Sequence, residues 1–436
     1  MNPINVGLLG LGTVGRGTVA VLRRNQHEIR RRAGRGIEIA AVAVRDVAKA
    51  RAFVGEGIPV TNEPLDVVRR PDIDIVVELI GGYEPARSLV LEAIRLGKHV
   101  VTANKALLAK HGNDIFEAAR ERGVMVAFEA AVAGGIPLIK ALREGLTANR
   151  IQWLAGIING TSNFILSEMR ARGLPFETVL AEAQRLGYAE ADPTFDIEGI
   201  DAAHKLTLLA AIAFGVPINF DAAHVEGITR LAAEDIRYAE QLGYRIKLLG
   251  IAKRGPQGVE LRVHPTLVPM QRLIASVEGA MNAVVVKGDA VGTTLYYGPG
   301  AGSEPTASAV IADLVDVTRM ATADPENHVP HLAFQPDAMA DVPWLPVDAT
   351  VSSSYFRMRV ADQPGVLADI TRILADGRIS IDALFQREPS EGENQTDIIM
   401  LTHEALERDV DAAIRRIEAL PTVLAPVIRI RQEDLL

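Results

Sequence analysis

Near the middle of the chain, an acidic and a basic side chain lie four residues apart, at Asp201 and Lys205. The surrounding pattern is helical, so both side chains project from one helix face and can meet one small ligand. Glu190 lies just upstream, in a stretch dense in Asp, Pro and Gly. Carboxylates suit a substrate ammonium group, whereas a lysine suits a carboxylate or a developing alkoxide. We therefore predict a polar substrate pocket here; the alternative is a simple surface ion pair.

A glycine motif near the start of the chain has the spacing of a dinucleotide fingerprint. It reads Gly10-Leu11-Gly12-Thr13-Val14-Gly15 and lies between a predicted strand and a helical pattern. The first glycine allows a tight turn, the second admits a pyrophosphate, and the third lets helix and strand pack closely. The helix N-terminus adds N–H donors and the positive end of its dipole. We predict that Gly10, Gly12, Thr13, Val14 and Gly15 bind a dinucleotide; the alternative is an ordinary turn.

The end of the second predicted strand, 37–44, bears on which dinucleotide is bound. A carboxylate there accepts hydrogen bonds from the ribose hydroxyls of NAD, whereas a basic residue accommodates the 2'-phosphate of NADP. In this chain Arg45 comes first, Asp46 follows, and Lys49 lies one turn on. Arg45 and Lys49 favour NADP, and Asp46 leaves NAD possible.

The order of predicted elements gives the fold class. Strands predicted at 37–44, 73–79, 99–102 and 124–128 alternate with helical segments, which predicts an α/β Rossmann-type, doubly wound parallel sheet over residues 1–130. We expect a different, α+β domain at 131–302, and a helix near 303–325 that returns to the dinucleotide domain. Prolines at 330–352 indicate a linker. Residues 353–436 follow a strand-helix-strand-strand-helix-strand order, which predicts a ferredoxin-like domain.

Composition excludes several classes of function. The 436 residues include no cysteine, so disulfides, thiolate metal sites and thiol nucleophiles are excluded. A formal charge of -9 provides no basic surface for nucleic acid. No apolar run approaches the roughly 18 residues of a membrane span. We expect a cytoplasmic protein that binds neither nucleic acid nor membrane.

Four segments resemble homoserine dehydrogenase in their order and spacing. They are ELIGG at 78–82, VTANKAL at 101–107, GIINGTSN at 156–163 and GYAEADPTFDIEGIDAAHK at 187–205. The resemblance extends over residues 4–325. Residues 353–436, which we call the tail, resemble the ACT regulatory domain that many monofunctional members carry. We expect no fused aspartokinase.

The resemblance implies a reaction. It is the reversible, NAD(P)-dependent interconversion of L-homoserine and L-aspartate 4-semialdehyde, in the biosynthesis of threonine, methionine and isoleucine. Lys205 matches the residue that donates or accepts the proton, and Lys105 matches a lysine placed between cofactor and substrate. Asp201 and Glu190 match substrate-binding carboxylates. Which lysine moves the proton stays open, because that depends on a pKa that a sequence does not reveal.

The resemblance also implies residues around the cofactor and a cation. Thr102, Gly187 and Gly302 match positions near the cofactor. The segment 129–137 joins the predicted domains, and its adjacent glycines and proline free backbone carbonyls, which are hard ligands for a simple cation. From the residues alone this segment is a loop. By resemblance, a sodium site is lined by Glu129, Val132, Gly134 and Ile136.

The tail suggests regulation. The segment DQPGVL at 362–367 resembles the loop that opens the first helix of ACT domains, where paired domains hold an amino acid at their interface. We predict feedback binding of threonine or a related end product; the alternative is an inert dimerisation module. By resemblance we expect a homodimer or homotetramer.

Three other functions fit the residues less well. A phosphorylating semialdehyde dehydrogenase needs a thiol, which this chain lacks. A 2-hydroxy-acid dehydrogenase needs a histidine paired with a carboxylate; His204 is available, but its neighbour Lys205 matches the family better. A nucleotide- and amino-acid-sensing regulator without catalysis has no need for Glu190, Asp201 and Lys205 together.

Overall fold

The computed structural model describes residues 2–386 and 394–435. The chain divides into two compact units that alternate along the sequence. The first unit comprises Met1–Leu154, His204–Asp221 and Asn282–Val342, and the second comprises Ala155–Ala203, Ala222–Met281 and Pro343–Leu436. The domain boundaries expected from the sequence stay predictions.

Strands and helices are numbered in chain order. The strands are β1 (Ile4–Leu9), β2 (Ile37–Ala43), β3 (Val60–Thr61), β4 (Ile75–Glu78), β5 (His99–Thr102), β6 (Val126–Ala127), β7 (Ile151–Ile157), β8 (His224–Val225), β9 (Tyr244–Gly255), β10 (Gly258–Pro269), β11 (Met281–Gly288), β12 (Gly292–Pro299), β13 (Trp344–Leu345), β14 (Val351–Ala361), β15 (Ile381–Gln386), β16 (Gln395–Thr402), β17 (Ala405–Leu406) and β18 (Ile428–Gln432). The α-helices are α1 (Thr13–Arg24), α2 (Gln26–Ala33), α3 (Val47–Val54), α4 (Pro64–Val68), α5 (Ala86–Arg95), α6 (Lys105–Arg122), α7 (Leu138–Lys140), α8 (Gly160–Arg172), α9 (Phe176–Leu186), α10 (Thr194–Ile197), α11 (Ile200–Phe214), α12 (Ala233–Gln241), α13 (Ser303–Met320), α14 (Val366–Asp376) and α15 (Glu407–Glu418). Short 3-10 turns cover Glu129–Ala131, Phe220–Ala222, Leu273–Ser276, Pro325–Asn327, Pro336–Ala338 and Val347–Ala349, and a π-helical turn covers Ala141–Gly145.

The first unit contains a six-stranded sheet in the order β3-β2-β1-β4-β5-β6, and all neighbouring strands are parallel. The chain winds outward from β1 in both directions, so its right-handed crossovers cover both faces. The loops after β1 and β4 therefore lie at the topological switch point, where such sheets bind ligands. The predicted doubly wound sheet is confirmed. Two strands are shorter than predicted, at Ile75–Glu78 and Val126–Ala127.

Helix α13 packs against α1 and α2 in the first unit. Val19 and Leu22 of α1 share a core with Val310 and Leu314 of α13. A Cβ on Gly17 would lie 2.5 Å from the Ser303 carbonyl oxygen, so α1 and α13 approach too closely for a side chain there. The start of α13 therefore lies beside the start of α1.

The second unit contains an antiparallel hairpin, β9 and β10, that is continuous with the strands of the tail. Strand β18 pairs in parallel with β10 and antiparallel with β14, and β14, β16 and β15 follow in antiparallel order. The tail runs β14-α14-β15-β16-α15-β18, which confirms the ferredoxin-like prediction. The tail strands therefore share a sheet with β10, rather than forming a sheet of their own.

Strand β9 was missed from the sequence because basic residues interrupt its apolar pattern. Lys247 is nevertheless buried, and its Nζ donates to the Val277 carbonyl at 2.5 Å. Burial lowers the pKa of Lys247 to about 8. A buried lysine in a strand is rare and needs such a partner, so a run interrupted by basic residues is a weak strand signal.

None of the helices in residues 2–386 and 394–435 combines the length and the apolar composition that a bilayer-spanning segment requires.

Two histidines satisfy the backbone at the edge strand β6. Nδ1 of His99 accepts from the Met125 N–H at 3.0 Å, and Nε2 of His331 accepts from the Val126 N–H at 3.0 Å. A ring nitrogen can accept only while it is unprotonated. Burial lowers the pKa of His99 to about 4 and that of His331 to about 3. Both rings are therefore neutral acceptors at neutral pH.

These histidines predict a loss of stability in acid. Their folded pKa values lie below the ordinary 6.5, so the unfolded chain binds more protons between about pH 6.5 and 3. The stabilisation is complete above pH 6.5 and is lost as the pH falls through that window. We expect the Tm of His331→Gln, whose amide oxygen accepts without titrating, to fall less between pH 7 and 4 than that of the parent protein. Scanning fluorimetry measures both slopes, and equal slopes would contradict the assignment.

Candidate active site

The glycine turn between β1 and α1 combines two tight approaches with one open position. Gly10 has a φ of 98°, and a Cβ there would lie 2.6 Å from the Leu79 carbonyl oxygen. A Cβ on Gly15 would lie 2.3 Å from the Gly10 carbonyl oxygen. Both positions therefore require glycine. A Cβ on Gly12, by contrast, would meet no described atom within 4 Å.

Two helix N-termini meet beside the open position. Gly12 is the N-cap of α1 and Gly302, with a φ of 128°, is the N-cap of α13; within the described residues neither has a side-chain cap. Ser303 Oγ donates to the Thr13 carbonyl at 2.9 Å. The first-turn N–H groups of both helices have no intrahelical acceptor. Open space beside uncapped N–H donors fits a dinucleotide pyrophosphate.

The residues after β2 divide into a helix cap and exposed basic groups. Asp46 is the N-cap of α3, and its Oδ1 accepts from the Lys49 N–H at 3.0 Å. Arg45 and Lys49 are exposed. One oxygen of the Asp46 carboxylate is thus already engaged by the backbone, whereas the Arg45 guanidinium is accessible to an anion.

A buried carboxylate ties together the loops after β4 and β5. Glu78 is fully buried, and its Oε1 accepts from the N–H groups of Ile80 and Gly81 at 2.8 and 3.0 Å. Its Oε2 accepts from Thr102 Oγ1 at 2.7 Å. Thr102 Oγ1 in turn accepts from the Asn104 N–H at 3.0 Å. The ends of two neighbouring strands are therefore fixed to each other.

Lys105 is positioned by the same arrangement. Asn104 caps α6, because its Oδ1 accepts from the Leu107 N–H at 3.1 Å. The Asn104 amide also donates to the Gly82 carbonyl at 2.7 Å. Lys105 is the first residue of α6 and is partly buried. Its backbone is therefore held at the carboxyl end of the sheet, where ligands of this fold bind.

Helix α11 carries both Asp201 and Lys205. The two side chains are 4% and 9% exposed, in a helix whose other residues are almost all apolar and buried. Their spacing places them on one face, with Cβ atoms roughly 5–6 Å apart. A simple surface ion pair is therefore wrong, because both groups are buried. His204 faces elsewhere, with its ring 4.4 Å from that of Phe220.

In the second unit, Asn159 holds two aspartates together. Its Nδ2 donates to Asp196 Oδ1 at 2.7 Å and to Asp201 Oδ2 at 2.9 Å. Its Oδ1 caps α8 by accepting from the Ser162 N–H at 2.8 Å. Ser162 Oγ also donates to the Asp196 carbonyl at 2.9 Å. We call Asn159, Asp196 and Asp201 the Asn159 cluster.

Glu190 and Gly187 lie on the loop after α9. Gly187 ends α9 with a φ of 79°, a left-handed conformation that favours glycine. Glu190 is exposed, and its carbonyl accepts from Gln184 Nε2 at 3.0 Å. The loop is thus fastened by its backbone, and the Glu190 carboxylate reaches solvent.

The segment predicted to bind sodium is buried and partly engaged. Both oxygens of Glu129 accept backbone N–H groups, from Ile139 at 2.9 Å and Lys140 at 2.8 Å. The Ile136 carbonyl accepts from the Leu138 N–H at 2.8 Å. Burial raises the pKa of Glu129. Among the described residues, no group of three or more histidines and carboxylates could hold a metal, so a cation at this segment would depend on backbone carbonyls.

Four residues around the site have no role in the sequence-based prediction. They are Glu78, Asn104, Asn159 and Asp196. The sequence could have indicated Asn104 and Asn159 as helix caps, since each precedes a helix in the N-cap position. The sequence indication for Glu78 is weaker, namely a carboxylate at the end of an apolar strand. The sequence gives no indication for Asp196, because its partner Asn159 is distant in the chain.

Each unit offers chemistry of its own. The first unit contains a glycine turn with open space beside uncapped N–H donors, which suits an anion, and two partly or fully buried lysines, Lys105 and Lys205. The second unit contains the carboxylates of the Asn159 cluster, which suit an ammonium group. The arrangement contains no thiol, so covalent thioester chemistry is excluded.

Models of known families match three parts of the chain. The homoserine dehydrogenase family matches residues 137–315, the homoserine dehydrogenase NAD binding domain matches 10–129, and the ACT domain matches 354–422. Together these matches extend from the glycine turn into the tail.

Individual proteins match the whole chain or most of it. A homoserine dehydrogenase of Pseudomonas aeruginosa is 62% identical over 435 residues, covering 100% of both chains. The crystal structure of a homoserine dehydrogenase from Thiobacillus denitrificans is 70% identical, with a TM-score of 0.95 over 100% of this chain and 99% of that one. A hyperthermophilic archaeal homoserine dehydrogenase in complex with NADPH is 26% identical, with a TM-score of 0.63 over 72% of this chain and 98% of that one.

Two alanine substitutions in the glycine turn should affect different properties, dinucleotide affinity in one case and thermal stability in the other. Gly12→Ala adds a methyl group to open space, so we expect an unchanged Tm and a dinucleotide affinity at least tenfold weaker, because the methyl group occupies the approach to the pyrophosphate. Gly15→Ala creates a 2.3 Å contact with backbone, so we expect a lower Tm. Thermal unfolding and fluorescence titration with NADPH measure both. Normal NADPH binding by Gly12→Ala would refute this placement of the cofactor.

Proposed function

The chain belongs to the homoserine dehydrogenase family, and we propose that it interconverts L-homoserine and L-aspartate 4-semialdehyde with a nicotinamide dinucleotide. It is an oxidoreductase. The observation that carries the proposed chemistry is a buried lysine, Lys205, one helical turn after a buried carboxylate, Asp201. A lysine is rarely buried in an apolar helix unless it has a specific task.

The residue roles follow from the chemistry of each direction. During oxidation, neutral Lys205 Nζ takes the hydroxyl proton of homoserine as the C–H hydrogen leaves as hydride. When bound, the nicotinamide accepts that hydride, or supplies it in reverse. During reduction, Lys205 returns the proton to the carbonyl oxygen of the semialdehyde. Lys105 is the second candidate for this proton, and Asp201 and Glu190 bind the substrate ammonium group.

The non-catalytic sensor has no specific observation in its favour. A sensor needs the glycine turn and the tail, but it does not need a buried lysine and carboxylate on one face of α11. The activity above is therefore the one function we propose.

For the cofactor, we propose NADP rather than NAD. The turn and the family support a nicotinamide dinucleotide of either kind. Asp46 supports the finer choice, because one of its oxygens caps α3, which leaves it poorly placed to accept from both ribose hydroxyls. The exposed Arg45 suits a 2'-phosphate. Thr102, Gly187 and Gly302 complete the proposed cofactor residues.

For the cation, we propose Na+ bound by Glu129 and by the carbonyls of Val132, Gly134 and Ile136. Support comes from a buried loop with one carboxylate, whose oxygens retain lone pairs beyond the two N–H bonds. Activity that is identical in sodium and in choline salts would remove this proposal.

For regulation, we propose that the tail binds threonine or a related amino acid, and that the chain forms a homodimer or homotetramer. Support comes from the ACT match and from Gly365, which opens α14 with a φ of 98°. Threonine titration of the enzyme tests the effector, and light scattering tests the assembly. The expected cytoplasmic location stays a prediction.

The activity and the role of Lys205 can be tested together. We expect the purified protein to reduce NADP+ in the presence of L-homoserine at alkaline pH. We expect Lys205→Met to lower kcat by about 10²- to 10⁴-fold, because general acid–base catalysis contributes that much. Lys110→Met, which alters a lysine on α6 paired with Asp221, should retain activity. Lack of reduction of both NADP+ and NAD+ by the parent protein would refute the proposed function, whereas full turnover by Lys205→Met would refute only the mechanism.

Arg45 should control cofactor preference. Losing a charged partner of the 2'-phosphate costs roughly 1.5–3 kcal/mol, so we expect Arg45→Ala to raise the KM for NADP+ by about ten- to hundredfold. The KM for NAD+, which lacks that phosphate, should change by less than about twofold. Arg51→Ala, an exposed arginine further along α3, is the matched control. Equal changes for both cofactors would show that Arg45 does not read the phosphate.

A further inference from the structure

An arginine of the tail is buried between two carboxylates of the second unit. Arg431 on β18 is 4% exposed. Its Nη2 donates to Glu407 Oε2 at 3.0 Å, at the start of α15. Its Nη1 donates to Glu226 Oε1 at 2.8 Å, immediately after β8. Glu226 therefore joins the tail to a segment outside it.

Glu226 is held on several sides. His224 Nε2 lies 2.7 Å from Glu226 Oε1. The backbone N–H of Glu226 donates to the Val263 carbonyl on β10 at 2.7 Å. Burial raises the pKa of Glu226, but the contacts with His224 and Arg431 outweigh burial and lower it overall. The side chain is therefore a carboxylate at neutral pH, and its charge is matched by the Arg431 guanidinium.

The residues after Glu226 pack directly on α10. The Ile228 N–H donates to the Ile197 carbonyl at 2.8 Å, and Thr229 Oγ1 donates to Glu198 Oε1 at 3.1 Å. A Cβ on Gly227 would lie 2.4 Å from the Ile197 carbonyl oxygen, so the two backbones are in the closest contact that a glycine permits. Moving the segment after Glu226 would therefore move the end of α10.

Helix α10 contains Asp196, a member of the Asn159 cluster. Ile197, which accepts from Ile228, follows Asp196 directly. Asp196 Oδ1 accepts from Asn159, whose amide also binds Asp201. A continuous set of contacts thus runs from Arg431 through Glu226 and the end of α10 to the proposed substrate carboxylate.

We propose that Glu226, bound to Arg431 of the tail, is a positioning residue for homoserine binding. It does not touch the substrate. It anchors the segment that fixes α10, and through Asp196 and Asn159 it fixes the orientation of Asp201. The inference rests on the proposed function, since homoserine is the substrate concerned. It also gives the tail a route by which a change at β18 or α15 alters affinity for homoserine.

Stability alone is a poor explanation for this arrangement. The Arg431 side chain is 5% exposed but the Glu226 side chain is 40% exposed, and an ion pair with one partner this accessible to water contributes only about 0–1 kcal/mol. The tail is also anchored elsewhere, since Asp235 on α12 accepts from Arg357 Nε at 2.6 Å and from Tyr355 OH at 3.2 Å. The contact of Glu226 differs from this anchor, because only Glu226 is followed by residues bound to α10.

The test compares two isosteric substitutions in the same region. Glu226→Gln keeps the shape and removes the charge that binds Arg431. Glu433→Gln is the matched control, because Glu433 is 6% exposed and binds Arg262 and Lys253 but has no described contact with α10. We expect Glu226→Gln to raise the KM for L-homoserine about three- to thirtyfold, with little change in kcat or in the KM for NADP+. Glu433→Gln should lower the Tm but leave the KM for homoserine within about twofold.

Thr229→Val provides a second variant outside the charged groups. It removes the hydrogen bond to Glu198, so it should raise the KM for homoserine by about two- to threefold at an unchanged Tm. If Glu226→Gln does not fold, this variant decides, and an unchanged KM would overturn the proposal. Equal KM values for Glu226→Gln and Glu433→Gln would also overturn it. Failure of the parent protein to oxidise homoserine would instead refute the proposed function, so the two failures are distinguishable.

Discussion

Backbone N–H groups at helix starts and strand ends need acceptors when they are buried, because an unpaired one costs about 1–3 kcal/mol. In this protein the acceptors that meet this need also position the residues of the proposed site. Glu78 binds the loop after β4, Asn104 caps the helix that begins with Lys105, and Asn159 caps α8 while holding two aspartates. Each side chain satisfies backbone N–H groups and also holds a residue or loop of the proposed site. The proposed chemistry therefore depends on buried polar residues to which no reacting role is assigned.

The tail is integrated with the second unit by the same means. Its strands continue the sheet of β9 and β10, and its arginines Arg431 and Arg357 bind the carboxylates of Glu226 and Asp235 outside it. Removing the tail would leave Thr266 and Leu267 of β10 without their strand partner and Glu226 without Arg431, so the proposed regulation is better studied with point substitutions than with truncation.

The sequence predicted what depends on local pattern. The glycine turn, the parallel sheet and the ferredoxin-like order were confirmed, because each is encoded by periodicity and by turn residues within a short window. What it missed depends on contacts between distant residues. Strand β9 is hard to recognise in the sequence because it contains Lys247, which is buried and donates to the distant Val277 carbonyl. Asp196 is separated from Asn159 by more than one helix, and no spacing rule links them. The roles of Lys105 and Lys205 came from family resemblance, and they stay proposals.

Strand β18 pairs with β10 although Thr266 and Arg431 are 165 residues apart in the chain. During synthesis on the ribosome, β10 therefore cannot pair with β18 until nearly all of the tail has been translated. Through that interval Thr266 and Leu267 of the nascent chain lack their strand partner, and the buried arginine Arg262 of β10 lacks Glu433. Non-local pairing of this kind slows folding and exposes intermediates to aggregation. Weakened pairing at β18 would therefore lower the expression yield of folded protein before it lowered the final Tm.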